Sequence, residues 1–383
     1  MSSHHPDWNP RHPATLENPL AEYDRMRGQC PVAWSDYQHW SLFRHADVMR
    51  VLQDPETFSN AVSQHLSVPN GMDPPEHGHY RAIIEPYFNP DAMARFEPEC
   101  RRIARELVQS LPEQGEQDVI PAFAEDFALR IQCAFMGWRS DLHEPLREWL
   151  HRNQAATLAG DREAMAQVAV DFDSTIRSLL AERRDAGDQA PADTTTALMH
   201  ETVNGRPLSD EELVSILRNW TVGELGTISA SVGIVFHALA GDPGLRDGVA
   251  ANPESLNATI DELLRRDAPL MSNRRVTTCP VTLGGRTIEA GERITLLWAA
   301  ANRDETVFGD PDAIKPEANA ANNLLYGAGI HVCPGAPLAR LELGTLFEEL
   351  LYWRPRFQPA SNGAPRRAHY PAGGFSALPL LFG

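Results

Sequence analysis

The sequence predicts a mainly α-helical protein with small β-sheets, held in a single domain over residues 1–383. Three observations carry this. Helical apolar periodicity recurs along most of the chain. Residues 208–244 form one long helical pattern, punctuated by glycines at 223, 226 and 233 and apolar on nearly every side in its second half. A surface helix would keep a polar stripe, and no heptad is sustained, so this helix is expected to run through a large core. Short alternating runs with Gly-Gly and Ala-Gly turns are confined to the neighbourhood of residue 280 and to the C-terminal end.

In chain order, residues 1–18 are rich in proline and histidine and read as surface chain. From there to about residue 60 the pattern gives a helix, a short hairpin around Trp34–Ser41 and a second helix. MDPPEHGHYRAIIEPYF places a proline-rich turn before a helix starting near Glu76. Residues 91–112 and 118–137 are amphipathic helices, 144–184 supply two more, and 185–195 is a loop. The central pattern is followed by a helix at 254–266 and by small strands in RRVTTCPVTLGGRTIEAGERITLLWAAANRD. A long loop then leads to NLLYGAGIHVCPGAPLAR and a helix over LARLELGTLFEELLYW. Short strand-like pieces end the chain, and no interior linker is biased enough to divide it.

Composition narrows the function. A formal charge of −18, from 52 acidic and 34 basic residues, argues against non-specific binding to nucleic acid or an anionic membrane. The five cysteines (Cys30, Cys100, Cys133, Cys279, Cys333) show no zinc-ligand spacing and read as a reduced, intracellular set. The first residues lack a basic segment followed by an apolar run, and no window reaches 18 uncharged apolar residues. The expected location is the cytoplasm, with no membrane span.

Cys333 stands out locally. It lies between a glycine-rich loop and a helix start, where free amides of the first turn stabilise a thiolate and glycines let backbone approach a flat ligand. Such a thiolate can be a nucleophile, with His331 as its base, or a metal ligand. A buried structural cysteine remains the bland alternative.

YGAGIHVCPG resembles the cysteine-ligand loop of the cytochrome P450 family, FxxGxxxCxG, with Gly329, Cys333 and Gly335 on pattern and Tyr326 in place of the usual phenylalanine. DELLRR supplies Glu262 and Arg265 in that family's ExxR arrangement. DPPEHGHYR supplies His77 and Arg81, matching its HxxxR, and Arg274 with Arg275 adjacent matches its strand-entry arginine. ANRDETVF is typical of bacterial members. The likeness covers nearly the whole chain. It implies a P450 fold, with haem b (iron protoporphyrin IX) between the long central helix and the cysteine loop. It also implies Cys333 as iron ligand, His77, Arg81, Arg274, Arg275 and His331 at the haem propionates, and a structural role for Glu262 and Arg265. Buried propionates need such partners.

The chain departs from the family in two places. The oxygen-side helix normally reads (A/G)Gx(D/E)T, whose acid and threonine pass protons; here it reads VGELG. Leu225 holds the acid position and Gly226 the threonine position, with Glu224 and Thr227 one residue, about 100°, to either side. Three readings stay open. A π-bulge or kink returns Glu224 or Thr227 to the site, water or a substrate group completes the relay, or the enzyme uses peroxide or runs another reaction. The second departure is Ala318, where the family often has an arginine that joins Glu262 and Arg265. Those two are then expected to bond to backbone of the loop.

The resemblance implies a monomeric monooxygenase that inserts one atom of O2 into a small or medium hydrophobic substrate. Electrons would come from a separate ferredoxin or flavodoxin with an NAD(P)H-dependent reductase, docking on a basic face around Arg340, Arg81, Arg101 and Arg102. The alternatives are a peroxide-driven oxygenase, an atypical coupling, dehydration or rearrangement enzyme, and a haem-thiolate ligand sensor. Pocket residues are expected at Val62, His65, Leu66, Leu270, Met271 and Phe375, together with the 150–175 helices, Leu225 and Gly226. His65 or Asn219 would fix a polar group.

Overall fold

A capping box starts the longest helix. The Ser209 side chain accepts from the Glu212 amide, and the Glu212 carboxylate accepts from the Ser209 amide, ahead of Asp210–Gly241. Three acidic residues in its first turn complement the helix dipole. The computed structural model describes residues 4–63 and 65–383. Among them this central helix alone is long and apolar enough to cross a membrane, and 67% of its apolar window is packed inside the protein. It is the core helix that its all-round apolar pattern predicts.

Helices Glu125–Met136, Arg162–Ala186 and Leu256–Asp267 pack on the central helix, while Pro90–Ser110 packs along the terminal helix Ala336–Trp353. Phe236 knits these layers, meeting Phe123, Phe347 and Phe357 edge-on with ring centroids 5.4–5.5 Å apart. Gly233 allows the close approach. A Cβ there would come within 2.7 Å of Ile120 Cδ1.

The largest sheet runs in the order Val32–Ser35, His39–Leu42, Arg293–Leu297, Ser272–Thr277, Phe58–Ser59. Its one parallel pair is His39–Leu42 with Arg293–Leu297. In strand Ser272–Thr277, Arg274 stands opposite Thr295 and Arg275 opposite Ile294, so their side chains leave opposite faces. A second sheet joins Phe357–Pro359, Pro379–Phe382 and Gly115–Asp118.

The helices and the hairpin expected from periodicity are present. Short helices are additional, among them Pro13–Glu17 in the expected surface chain, Thr194–Met199, capped by Asp193 at the end of the expected 185–195 loop, Trp298–Ala301 after the small strands, and Glu305–Phe308 and Pro316–Asn319 within the expected long loop. None is long enough to show an apolar period. The central helix stays α-helical through residues 222–227. That segment therefore holds no π-bulge.

Candidate active site

The cysteine loop is shaped by glycine. Gly329 has φ +72°, and a Cβ there would lie 2.3 Å from the Leu52 carbonyl oxygen, so only glycine fits between the loop and helix His45–Gln53. The Cys333 amide donates to Tyr326 O at 2.9 Å. Around the sulfur, burial pushes the thiol above its ordinary value, aided by the nearby Glu224 carboxyl. The amides of Gly335 and Ala336 and the Arg81 cation pull against it. A Cβ on Gly335 would come 3.8 Å from the Cys333 sulfur. Tyr326 is more than a ring: its hydroxyl bonds Asp261 Oδ1 at 3.2 Å, and Arg340 lies over the ring at 4.6 Å while binding Asp261 itself.

Beside this loop the structure gathers imidazoles and cations. The rings of His77 and His331 are 4.2 Å apart, and the buried Nε2 of each has no hydrogen-bond partner. Burial, then the neighbouring His77 and the cations of Arg275 and Arg81, lower His331 to about 3. Arg81 donates to Val332 O at 2.8 Å and reaches the solvent-facing Glu85 at 3.1 Å. Arg275 is buried and has no carboxylate within ion-pair distance among the described residues; desolvation lowers it to about 10. Arg274 is exposed and acts on Tyr37 and His39, on the far face of the strand. The adjacent-arginine expectation therefore resolves to Arg275. Strand alternation turns Arg274 away from the histidine pair.

These residues test the fit of a haem. Two unpartnered imidazole nitrogens and a buried cation with no carboxylate at ion-pair distance, Asp73 acting on it from farther off, form a receptor for carboxylates. No cluster of three or more metal-ligating side chains exists among the described residues, so Cys333 can hold an iron only if other donors come with the metal. A porphyrin supplies both missing parts, ring nitrogens and propionates. His331 lends its ring to this cluster and makes no hydrogen bond to Cys333, which removes the support for a thiol–imidazole nucleophile.

Glu262 and Arg265 are sealed in the core behind the loop. Arg265 binds both carboxylate oxygens, at 2.8 and 3.0 Å, and donates to the carbonyls of Asn302 and Pro311. Glu262 also accepts from the Lys315 amide and from Asn319 Nδ2 at 2.6 Å. Asn319, beside Ala318, thus supplies a side-chain donor to Glu262. Asn302 carries the linkage onward, accepting from the Leu324 amide at 2.8 Å at the entry to the cysteine loop.

A cavity of about 470 Å³ lies against the central helix, lined by Gly226, Ser229, Ala230, Leu150, Gln154 and Phe375 among others. A Cβ on Gly226 would meet Leu150 and Gln154 at 3.8 and 3.9 Å, so this glycine faces helix His143–Ala159. At one end Glu125 binds His151 at 3.0 Å and Arg147 at 2.8 Å. Of the six expected pocket residues only Phe375 lines this cavity. Met271 packs in a separate apolar cluster with Trp8, Tyr23 and Phe43. His65, Leu66 and Leu270 are exposed and Val62 half-buried, outside the lining. The Leu66 carbonyl is tied down by Ser215 and Arg218, and Asn219 is spent on Ser67 and Val68. Leu225 is core, 1% exposed, and lines no part of the cavity. The Thr227 hydroxyl donates to Gly223 O at 2.6 Å, back into its own helix. Ile120, Glu125 and the loop at 368–373 were invisible as pocket residues because only tertiary folding brings them there.

The basic docking face also changes. Arg101 and Arg102 are bound by Glu97, Glu348, Glu349, Glu99 and Glu106, and Arg340 by Asp261. That surface is a mixed-charge network.

Fold and site define an oxidoreductase built around a lone cysteine thiol and a carboxylate-binding cluster. The chain belongs to the cytochrome P450 family: the family model "Cytochrome P450" matches residues 138–353. Erythromycin C-12 hydroxylase of Saccharopolyspora erythraea is 32% identical over 85% of this chain and 84% of its own. Linalool 8-monooxygenase of Pseudomonas putida is 27% identical over 93% and 94%. A mutant of P450 EryK in complex with erythromycin B superposes with TM-score 0.85, at 29% identity, covering 95% of this chain and 96% of that one. The chain is a monooxygenase of this family, whose members carry haem iron and use redox partners and hydrophobic substrates.

Proposed function

We propose that the protein binds haem b through Cys333 and inserts one atom of O2 into a carbon skeleton, with electrons from a separate ferredoxin or flavodoxin and its NAD(P)H-dependent reductase. The observation that carries this is the cluster of His77 and His331, each with an unpartnered Nε2, and of Arg275, with no carboxylate at ion-pair distance, beside the lone Cys333 thiol. When bound, haem supplies iron for O2 activation, and a thiolate ligand favours O–O cleavage. Arg81, Arg275, His77 and His331 would hold the propionates. Gly335 and Ala336 amides temper the charge on the sulfur. Glu262 and Arg265 fix the loop that carries Cys333, and residues 1–383 act as one domain whose largest apolar cluster runs from Val68 to Phe382.

The cavity walls of Ile120, Leu150, Ala230 and Phe375 would orient an apolar substrate and exclude water, with Gln154 and the Glu125–His151 pair meeting a polar substituent. Relatives that hydroxylate erythromycin or oxidise linalool support oxidation of a carbon skeleton. A peroxide-driven reaction is the second reading, favoured by the Thr227 hydroxyl being engaged within its helix. Turnover of a panel of apolar compounds decides, in one arm under isotopically labelled O2 with NAD(P)H and a surrogate ferredoxin system, in the other with isotopically labelled hydrogen peroxide alone. Label in the product supports the first reading. Label only from peroxide supports the second, and no oxidation in either arm overturns both.

A further inference from the structure

Most polar groups in the cavity wall are engaged by the protein itself. The one carboxylate there, Glu125, is bound by Arg147 at 2.8 Å and by His151 at 3.0 Å, and no lysine or arginine belongs to the lining. The Tyr370 hydroxyl lies 3.2 Å from Ser272 Oγ, and the Ser376 hydroxyl donates to Arg367 O at 3.3 Å. Three polar side chains remain. Ser229, Gln154 and His369 make no side-chain hydrogen bond among the described residues. His369 is exposed to solvent, whereas Gln154 is half-buried and Ser229 buried.

Ser229 is the exception on its helix. The hydroxyls of Thr221, Thr227 and Ser231 donate to the carbonyls four residues back, at 2.6–2.9 Å, and Ser215 donates to Leu66 O. Ser229 makes no such bond, although it is only 8% exposed. A buried hydroxyl without a partner is costly, so one that lines a cavity points to a ligand atom that completes it. Gly226 comes one turn earlier on the same face of the helix. A Cβ there would stand 3.9 Å from Gln154 Nε2. The free hydroxyl and the free amide thus flank the space that Gly226 leaves open.

We propose that Ser229 and Gln154 bind an oxygen of the substrate, and that the substrate is a neutral, carbonyl-bearing apolar compound: a ketone, lactone or ester. This rests on the reading of the cavity as the substrate site. The Ser229 O–H and the Gln154 N–H both donate, and a carbonyl oxygen has two lone pairs to receive them. Ile120, Leu150, Ala230 and Phe375 cover the carbon skeleton. A carboxylate finds no free cation in this wall. An amine finds no free carboxylate, because Glu125 is already paired, so either ion loses its hydration without a counter-charge. A plain hydrocarbon leaves both donors unpartnered, which is the stronger basis for discrimination in an otherwise apolar pocket.

The test uses the haem-loaded enzyme and three probes of one shape: 4-phenylcyclohexanone, phenylcyclohexane and 4-phenylcyclohexanecarboxylate. Equilibrium dialysis gives the affinities, and infrared spectra of the ketone, isotopically labelled at its carbonyl carbon, read the hydrogen bond directly. Ser229→Ala should weaken ketone binding about five- to tenfold while leaving phenylcyclohexane within about twofold. The bound carbonyl stretch should lie lower in the wild type than in Ser229→Ala. The carboxylate should bind at least about tenfold more weakly than the ketone. Equal losses for ketone and hydrocarbon, an unmoved carbonyl stretch, or a carboxylate that binds as tightly as the ketone would each overturn the proposal. Should Ser229→Ala fail to hold haem, Gln154→Leu, on helix His143–Ala159, gives the same readout. If neither neutral probe binds the wild type, the proposal and the reading of the cavity fall together. Failure of Cys333 ligation is distinct: the thiolate-type carbon monoxide spectrum is lost while the ketone-specific response to Ser229→Ala still supports the proposal.

Discussion

Replacing Glu262 with alanine should cripple the protein from a distance. Arg265 has no exposed surface, and its partner side chain is 2% exposed, so the substitution strands a guanidinium in the core. Removing one member of a buried ion pair costs about 3–5 kcal/mol. The Lys315 amide and Asn319 Nδ2 lose their acceptor as well, at about 1 kcal/mol each. The carbonyls of Asn302 and Pro311 still receive Arg265, which offsets part of this. A net loss of about 4 kcal/mol is a large share of a typical stability of about 5–15 kcal/mol. Denaturant unfolding of the haem-loaded enzyme, followed by helix content and haem absorbance, measures it. The double variant with Arg265→Met should recover part of the loss, because no charge is then stranded. A Glu262→Ala loss under about 1 kcal/mol, or a double variant no better than the single one, would refute this reasoning.

Other perturbations separate loop, receptor and cavity. Gly329→Ala should cost more than about 1–2 kcal/mol, since its left-handed backbone is compounded by contact with Leu52 O, and haem retention should fall in parallel. Arg275→Leu should leave haem-free stability equal or higher, by removing a buried unpaired cation, while speeding haem loss to an acceptor protein. Gly226→Thr should lower kcat/KM for bulky substrates without changing the unfolding midpoint, because the new side chain enters the cavity opposite Leu150 and Gln154. Hydrogen bonding from Arg206, working against burial, holds Glu212 down to about 2 from 4.5, with Tyr80 and the Ser209 amide assisting. That carboxylate therefore contributes stability above its unfolded value, lost as pH falls from about 4.5 through about 2. Glu212→Gln should flatten the acid limb of the stability–pH curve.

The central helix and the cysteine loop were legible because each is written in contiguous residues: a long run, apolar on nearly every side in its second half, and glycines around one cysteine. What escaped depends on direction or on distant chain. Nothing in RRV says which arginine points inward until the strand's register with Arg293–Leu297 is known. The cavity is walled by residues from near 120, 150, 226 and 370, whose meeting no local pattern announces. Glu342 carries no signal in the sequence, and only packing shows it fully buried. Asn319 stayed hidden beside Ala318, where an arginine was sought.

The central claim is that Cys333 ligates haem iron as a thiolate. Its most direct measurement is the carbon monoxide difference spectrum of the reduced protein, recorded beside Cys333→Ser. The account predicts the band of a thiolate-bound haem–carbon monoxide complex in the wild type and its loss in the variant. Haem that is bound yet lacks that band in the wild type, or keeps it after Cys333 is replaced, would contradict the account.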